Sequence, residues 1–419
     1  MTQGQRMKRA ISNKEVVLGV TGSIAAYKAC EIASRLTEWG ARVTPVLTHA
    51  ATELVGPASF EAVTGHRAIT ALFEPLQNPR VEHIAVATRA DLFLIAPATA
   101  NILAKAAHGI ADDWLSTTLL ATRAPVLFAP AMNANMYAHP ATQANIETLR
   151  ARGCHFVGPD EGRLACGDTG TGRMADPAVV LEAALPLLSN QNDLAGKRVL
   201  ITSGPTHEPI DPVRFIANRS SGKMGRALAL EALARGAHVT VVTGPAEIGM
   251  PYGVEVVSVQ TASEMADAVL ARAAGADIVI AAAAVADYRV ENPAPDKHKR
   301  HGEALCLTLV ENVDIIAQVG VAKRDGQTIV AFAAETEDLI ENARAKLTKK
   351  HVDLIVANQI GAADSGFGAD TLRAAFIAPD RATEDLGLLD KDELAGRILD
   401  RIAPESDGAG NPSSAGSST

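Results

Sequence analysis

A short apolar run, a glycine-bearing turn, a helical stretch and a second apolar run follow one another twice in this chain. In the first copy, Val16-Val17-Leu18-Gly19-Val20 leads into Gly22-Ser23, a helical stretch over about 25–39, the pair Gly40-Ala41 and a run from Arg42 to Leu47 that ends at Thr48. In the second, Arg198-Val199-Leu200-Ile201-Thr202 leads through Ser203-Gly204-Pro205 and a long loop to a helix over about 223–234. Gly236-Ala237 and the strand His238 to Val242 follow, ending at Thr243. Parallel strands need a crossover, usually a helix, so each copy reads as a βαβ unit opening its own sheet. A chain of 419 residues also exceeds what one hydrophobic core usually organises. The expected fold class is α/β, with two Rossmann-like or flavodoxin-like parallel-sheet domains. The hydrophobic content of 47% is mostly Ala, Val, Ile and Leu with only 4% aromatics, which suits strands buried on both faces.

The segment Ser189-Asn190-Gln191-Asn192-Asp193 interrupts the apolar pattern of 179–188 and places the joint at about residue 190. The expected domains are therefore 1–190 and 191–403, followed by a Gly-, Ser-, Asn- and Pro-bearing tail, 404–419, expected to be disordered. A net charge of −9 is the wrong sign for holding DNA or RNA over a wide phosphate surface, so any nucleotide partner should be small and locally bound. Cys30, Cys154, Cys166 and Cys306 form no CxxC pair, which indicates neither a zinc site nor a disulfide framework and points to a reducing cytoplasm. Cys30 and Cys306 fall in helix and strand patterns and are expected in the core. No apolar run reaches the length of a membrane span, and no adequate apolar segment precedes Val16, so neither insertion nor export is expected.

Ligands of open α/β sheets bind beyond the carboxyl ends of the strands. In the first half that position holds Thr21-Gly22-Ser23-Ile24-Ala25-Ala26, which reads equally as a phosphate-accepting turn and as a tight strand-to-helix turn, since GxGxxG spacing is absent. Thr48 supplies another hydroxyl. The apolar runs 92–96 and 126–129, each expected to stop at a proline, are followed by Pro97-Ala98-Thr99-Ala100-Asn101 and by Pro130-Ala131-Met132-Asn133-Ala134-Asn135-Met136-Tyr137. Turn chemistry explains one such Asn; amide-bearing loops at successive strand ends favour a site. His83, before the 92–96 run, would alone be read as structural. Cys166 lies in the glycine-rich stretch 164–174, where a thiol can reach a substrate as acid or nucleophile.

In the second half, the loop 203–225 is too long for a simple connection. Its Ser220-Ser221-Gly222-Lys223 could cradle phosphate or merely cap a helix; the Walker spacing is absent. Apolar runs at 278–284, 329–333 and 354–357 read as strands. Ala284-Val285-Ala286-Asp287-Tyr288-Arg289 follows the first, and the basic run Lys297-His298-Lys299-Arg300-His301 comes after it. Lys346 and Lys350 lie one helical turn apart on one face, which makes a triphosphate site plausible beside that run.

Taken in order, the Gly22-Ser23-Ile24-Ala25 turn, His83, the loops 97–101 and 130–137 and the Ala165-Cys166-Gly167-Asp168 flap resemble the flavin-dependent cysteine decarboxylases, above all the phosphopantothenoylcysteine decarboxylases. The Asn218-to-Gly225 stretch, Asp287, Lys297, Phe332, Lys346 and Lys350 resemble the bacterial, CTP-using phosphopantothenate–cysteine ligases. Together they cover nearly the whole chain, in the order of the bifunctional coenzyme A biosynthesis family.

The first resemblance implies that Gly22, Ser23, Ile24, Thr48, Thr99 and Ser116 lie near FMN, and His83, Asn133 and Cys166 near the substrate. Oxidation of the thiol-bearing carbon to a thioaldehyde would provide the electron sink that decarboxylation needs. His83 would be the base of that oxidation, Asn133 would hold the carboxylate and Cys166 would protonate the enethiol product. Tyr137 stands where the family commonly has Trp, a departure confined to the pocket wall. The second resemblance places the base and sugar of CTP near Ala281, Ala282, Ala283, Asp287 and Phe332, and counts Asp314 and Ile315 among the CTP-binding residues. It places the phosphates near Lys297, Lys346 and Lys350, with Mg²⁺ neutralising their oxygens. Lys297 would stabilise charge as the substrate carboxylate attacks the α-phosphate, and Asn218 would orient the acyl-cytidylate for the cysteine amine. The family further implies a homo-oligomer, a dodecamer of trimeric contacts in the first half and dimeric contacts in the second, with flavin sites between subunits. Two other readings compete with this one. A prenyl transfer to flavin leaves the Cys166 flap and the ligase-like half unexplained, and a non-catalytic FMN-binding regulator needs neither Cys166 nor His83.

Overall fold

The computed structural model describes residues 11–72, 82–163, 167, 169–189, 191–299, 302, 304–335, 339–359, 369–379 and 381–403. Cys166, Arg300, His301 and the tail 404–419 lie outside the described residues. The chain divides into two compact units, Met1–Asn190 with Pro251–Gly253 and Gln191–Met250 with Val254–Thr419.

In the first unit, β1 (Glu15–Val20), β2 (Arg42–Leu47), β3 (Leu92–Ala98), β4 (Val126–Pro130) and β5 (His155–Phe156) form a parallel sheet in the order β2-β1-β3-β4-β5. This is the flavodoxin-type order, whose direction reverses between β1 and β3. The helices are α1 (Lys28–Glu38), α2 (His49–Thr52), α3 (Pro57–Thr64), α4 (Glu82–Arg89), α5 (Ala100–His108), α6 (Trp114–Ala121), α7 (Ala134–Ala138), α8 (Pro140–Ala151) and α9 (Pro177–Leu188). α1 shows why the sequence folds this way: Ala29, Ile32, Ala33 and Leu36 are buried at three- and four-residue spacing, while Glu31 and Arg35 pair on the outer face at 2.7 Å. The strands do not stop at their prolines as expected. β3 continues through Pro97 to Ala98 and β4 includes Pro130, and the β3–β4 register shifts between Ile95 and Ala98, because proline has no N–H to give the ladder. An antiparallel hairpin, β6 (Asp160–Arg163) and β7 (Thr169–Arg173), was not anticipated.

In the second unit, β8 (Arg198–Ser203), β11 (His238–Thr243), β12 (Glu255–Ser258), β13 (Ile278–Ala281), β16 (Thr328–Glu335), β17 (Leu354–Gln359), β18 (Thr371–Ile377) and β19 (Glu384–Asp390) form one sheet, ordered β12-β11-β8-β13-β16-β17-β18-β19. Its first six strands are parallel and follow the Rossmann order, reversing between β8 and β13. The sheet is mixed rather than wholly parallel: β18 is antiparallel to β17 and β19 to β18. An antiparallel edge needs only tight connections, and the two reversals return β19 to the common direction. Two small hairpins, β9 (His207–Pro209) with β10 (Phe215–Ala217) and β14 (Tyr288–Val290) with β15 (Leu309–Glu311), arise from the long loops.

Helices α10 (Lys223–Ala234), α11 (Ala262–Ala273), α12 (Ile315–Val321), α13 (Leu339–Lys350) and α14 (Lys391–Ile402) cover this sheet. Alternate strand residues sort them by face. Val199, Ile201, Ile278 and Ile280 pack with α10 and α14 through Leu228, Leu394 and Ile398, whereas Leu200, Val279 and Ile329 pack with α11, α12 and α13 through Met265, Ile315 and Leu347. Neither cysteine expected in the core is fully there: Cys306 is exposed, on a segment that precedes β15, and Cys30 is half-buried on α1, where burial pushes its thiol pKa up. Among the described residues, no helix is long and apolar enough to cross a membrane.

Candidate functional site

In the first unit the chain leaves β1 through Thr21 and Gly22 into a 3-10 turn, Ile24–Tyr27, that continues as α1. Thr21 was missed by sequence reasoning. It is 2% exposed; its hydroxyl donates to the Pro97 carbonyl at 2.7 Å and accepts from the Thr99 N–H at 3.1 Å, joining the two strand ends on either side of the reversal. Gly22 has no room for a side chain, since a Cβ would lie 2.5 Å from Ala50 Cβ on α2. Ser23 caps the turn, its Oγ accepting from Ala25 N–H at 3.4 Å, and Thr48 donates from both N–H and hydroxyl to the Val20 carbonyl, at 3.0 and 3.4 Å. Gly22, Ser23, Ile24, Thr48 and Thr99 thus gather at the carboxyl ends of β1, β2 and β3, with Ile24 and Tyr27 exposed beside them.

Asn133 follows β4 at the same edge and caps α7, its Oδ1 accepting from Asn135 N–H at 2.8 Å. The β6–β7 hairpin lies against this loop: Met132 N–H donates to the Gly172 carbonyl at 3.0 Å, and a Cβ at Gly172 would come within 2.3 Å of the Met132 oxygen. Cys166 falls between Arg163, which ends β6, and Thr169, which begins β7, outside the described residues. His83 is half-buried in the first turn of α4.

Ser116 is the exception. It is buried in the first turn of α6, in a capping box: its N–H donates to Asp113 Oδ1 at 2.7 Å and its hydroxyl accepts from Asp113 N–H at 3.1 Å. Burial pushes the Asp113 pKa up, but the Ser116 N–H and the Lys105 ammonium at 3.0 Å outweigh it and hold it below the ordinary range. Ser116 lines a cavity of about 560 Å³ with Val126 and His155, the first residues of β4 and β5, so it sits toward the amino ends of the strands. Within one chain it does not join the Gly22–Thr99 group.

In the second unit a cavity of about 690 Å³ lies at the β8/β13 reversal. Asn218, Ala281, Ala282, Ala283, Asp287, Asp314, Ile315, Phe332, Lys346 and Lys350 all line it. Thr202 and Thr206, which sequence reasoning missed, lace the two sides together. Ala282 N–H donates to the Thr202 carbonyl at 3.2 Å, Ala283 N–H to its hydroxyl at 3.2 Å, and Ala286 N–H to the Thr206 hydroxyl at 3.0 Å. Asn218 Nδ2 donates to the Val285 carbonyl at 2.8 Å. Asp314 caps α12, its carboxylate accepting from Ala317 N–H at 3.1 Å and pairing with Lys350 at 3.0 Å. Gly225 lets the start of α10 close on β8, because a Cβ would lie 2.2 Å from Ser203 Oγ.

Lys297 does not line this cavity, contrary to expectation. It is exposed, and the next residue is clamped elsewhere: His298 N–H donates to Asp211 Oδ2 at 3.2 Å, and the His298 carbonyl accepts from Arg214 at 2.8 Å. The Asp211 side chain is fully buried. Burial raises its pKa, but the Arg214 guanidinium and the N–H groups of Val213, His298 and Arg214 outweigh that and hold it well below the ordinary range.

Residues 5–188 match the family model described as flavoprotein, and residues 194–405 match that described as DNA/pantothenate metabolism flavoprotein C-terminal domain. The coenzyme A biosynthesis bifunctional protein CoaBC of Bacillus subtilis (strain 168) is 44% identical over 397 residues, 94% of this chain and 97% of its own length. That of Escherichia coli (strain K12) is 44% identical over 393 residues, 93% of this chain and 96% of its own. Among solved structures, a crystal structure of the C-terminal domain of CoaBC is 39% identical and covers 51% of this chain and 97% of its own, with a TM-score of 0.44.

Proposed function

The chain belongs to the family of bifunctional coenzyme A biosynthesis proteins, and we propose that it catalyses two consecutive steps. The second unit ligates 4′-phosphopantothenate to L-cysteine at the expense of CTP, through an acyl-cytidylate. The first decarboxylates the resulting 4′-phosphopantothenoylcysteine to 4′-phosphopantetheine with FMN. The observation that carries this reading is the single cavity at the β8/β13 reversal, which gathers Asn218, Asp287, Asp314, Phe332, Lys346 and Lys350.

In the ligase unit, Lys346 and Lys350 face the phosphates, which compete with Asp314 for the Lys350 ammonium. The substrate carboxylate attacks the α-phosphorus and pyrophosphate leaves; the cysteine amine then attacks the acyl carbon and CMP leaves. Asn218, fixed by the Val285 carbonyl, orients the acyl group. Lys297, which stands outside the cavity lining, is assigned by the family resemblance to supply positive charge to the α-phosphate. Among the described residues no group of three or more His, Cys, Asp or Glu side chains could hold a metal ion. That suits Mg²⁺ carried on the nucleotide phosphates and water.

In the decarboxylase unit the residues present fit FMN. The side-chain-free approach at Gly22, the Ser23 and Thr48 hydroxyls and the exposed Ile24 and Tyr27 offer a polar turn beside an apolar wall. FMN supplies the two-electron oxidation of the substrate thiol and its later reversal. Asn133, set by its cap, holds the carboxylate, His83 accepts the proton lost in the oxidation, and Cys166 returns one to the enethiol carbon. We assign the chain to a cytoplasmic homo-oligomer, a dodecamer, in which trimeric contacts of the first half bring Ser116 to the flavin of a neighbouring copy.

The test is the product formed by purified protein from 4′-phosphopantothenate, L-cysteine, Mg²⁺ and either CTP or ATP, read by mass spectrometry. We expect 4′-phosphopantetheine with CTP. Accumulation of the cysteine conjugate alone would remove the decarboxylase assignment, and absence of any product from a flavin-loaded protein would favour the regulator.

A further inference from the structure

Two walls of the second unit's cavity meet at Asn312, a residue so far without a role. One wall is the stretch 285–287, which leads from β13 into β14; the other is 313–316, which leads from β15 into α12, and residues of both line the cavity. β14 and β15 pair with Tyr288 opposite Glu311, so Asp287 and Asn312 stand across from each other one step beyond the ladder. We propose that Asn312 is a positioning residue of the ligase unit, which holds the Asp287 wall to the start of α12 and so sets the gap that receives the nucleoside of the triphosphate. The inference rests on the ligase reading above.

Both the backbone and the side chain of Asn312 are committed to this join. Its N–H donates to the Asp287 carbonyl at 2.8 Å, and its Nδ2 donates to the Ala286 carbonyl at 2.9 Å. Its Oδ1 accepts from Arg289 Nη1 at 3.4 Å, and the same nitrogen donates to the Glu311 carbonyl at 2.6 Å. A carbonyl only accepts and a guanidinium only donates, so these neighbours fix which way the amide faces. Ala286 is 3% exposed, so little water reaches its carbonyl once the Asn312 donor is withdrawn.

The hold on 285–287 is shared among three side chains that reach it from different sides. Asn218 donates to the Val285 carbonyl and the Thr206 hydroxyl accepts from the Ala286 N–H, both from the loop that follows β8. Asn312 ties the same stretch to α12, whose N-cap Asp314 pairs with Lys350. It grips the Asp287 backbone, which leaves the exposed Asp287 side chain to the ligand. Lys346 and Lys350 serve the phosphates, whereas the Asn312 bonds end on the Asp287 wall. A fault at Asn312 should therefore follow the nucleoside and not the number of phosphates.

Calorimetric titration of the full-length protein with CMP and with CTP, in Mg²⁺ and without the acid substrate, tests this. Asn312→Ala should weaken both nucleotides by the same factor, at least about fivefold. In steady state the KM for CTP should rise by about that factor, while kcat at saturating CTP and the KM for cysteine stay within about twofold. Asn312→Asp keeps the shape but sets an acceptor against the Ala286 carbonyl, and should weaken CMP at least as much. Nucleotide binding within about twofold of wild type in both variants would overturn the role. So would a loss confined to CTP, which would trace to the phosphates, or a fall in kcat with CTP affinity kept. Wild-type binding of CTP without measurable binding of CMP would also overturn it, because the nucleoside would then contribute too little for Asn312 to act on. If Asn312→Ala loses its circular dichroism it has misfolded, and Asn312→Asp decides by the same criteria. A wild type that binds neither nucleotide would sink the ligase reading itself, an outcome distinct from nucleotide binding that Asn312 leaves untouched.

Discussion

Thr21 holds Thr99 from across the strand reversal of the first unit: the buried Thr21 hydroxyl accepts from the Thr99 N–H at 3.1 Å while donating to the Pro97 carbonyl at 2.7 Å. One side chain therefore fixes the spacing between the β1 and β3 loops, where Gly22, Ser23 and Thr99 converge. Thr21→Val keeps the volume and removes both bonds, leaving a buried N–H and carbonyl without this partner. The cost should be about 1–3 kcal/mol of stability. Flavin content per protomer should fall with it, while ligation in the second unit should stay near wild type. A variant that keeps full flavin and an unchanged melting temperature would show that the loops are held by other contacts.

Gly172 sets how closely the Cys166 hairpin lies on the Asn133 loop. A methyl group there would sit 2.3 Å from the Met132 carbonyl oxygen, a backbone atom that no rotamer change can move aside. Gly172→Ala should therefore lift the hairpin and break the Met132–Gly172 hydrogen bond. The expected cost is about 1–3 kcal/mol, as for other overpacked sites. Decarboxylation should drop far more than flavin binding, because Gly22 and Thr48 lie on other loops. The check is a side-by-side assay of cysteine-conjugate formation, expected to persist, and conjugate decarboxylation, expected to collapse.

The strands and helices of both units were legible because their apolar residues keep clear periods: β8 buries Val199 and Ile201 on one face and Leu200 on the other, and α1 buries every third or fourth residue. The strand-end loops were legible for the same reason, since a strand's end marks where its ligands bind. What escaped notice depends on contacts distant in sequence. Thr21 and Thr202 look like ordinary strand-end residues until the β3 and β13 loops are beside them, although an equivalent Thr closing the first strand of each repeat was a signal that could have been read. Lys391 opens a helix that reaches the cavity only because β18 and β19 reverse twice, and short antiparallel strands leave little mark on composition. Lys297 was placed by the family resemblance, yet its neighbour His298 is tied by its N–H to Asp211 and by its carbonyl to Arg214, which no spacing in the sequence indicates.

That tie has a pH signature. The Asp211 pKa is depressed in the folded protein, despite the opposing effect of burial, by Arg214 and three backbone N–H groups. A carboxylate with a depressed folded pKa contributes stability that is fully present above its unfolded value of about 3.9 and is lost as pH falls toward the folded one. Asp211→Asn should be less stable than wild type at pH 7, and the gap between them should narrow as pH falls below about 4. Denaturation midpoints of both proteins at pH 7 and pH 3 give the comparison. A gap that widens on acidification would reverse the sign assigned to Asp211. The same variant should lower ligation without raising the KM for cysteine, since it releases the hydrogen bond that holds His298, the residue next to Lys297.

Arg235 offers the sharpest test of how the second unit is held together. Its side chain is 1% exposed at the end of α10, where it pairs with Glu231 and Asp193 at 3.0 and 3.1 Å, with Asp400 on α14, and donates to the Gly396 carbonyl at 3.2 Å. Removing it takes away the buried cation that Glu231, Asp193 and Asp400 share, so the loss should be at least that of an ordinary core truncation. Arg235→Met, close in length and apolar, should cost about 3–5 kcal/mol, the range for breaking a buried ion pair from one side. Replacing Asp193 and Asp400 by Asn in the same background should recover part of that loss by removing the stranded charge. Chemical denaturation of the three proteins measures it. If Arg235→Met alone is as stable as wild type, the ion cluster contributes nothing net and apolar packing between α10 and α14 holds these helices unaided.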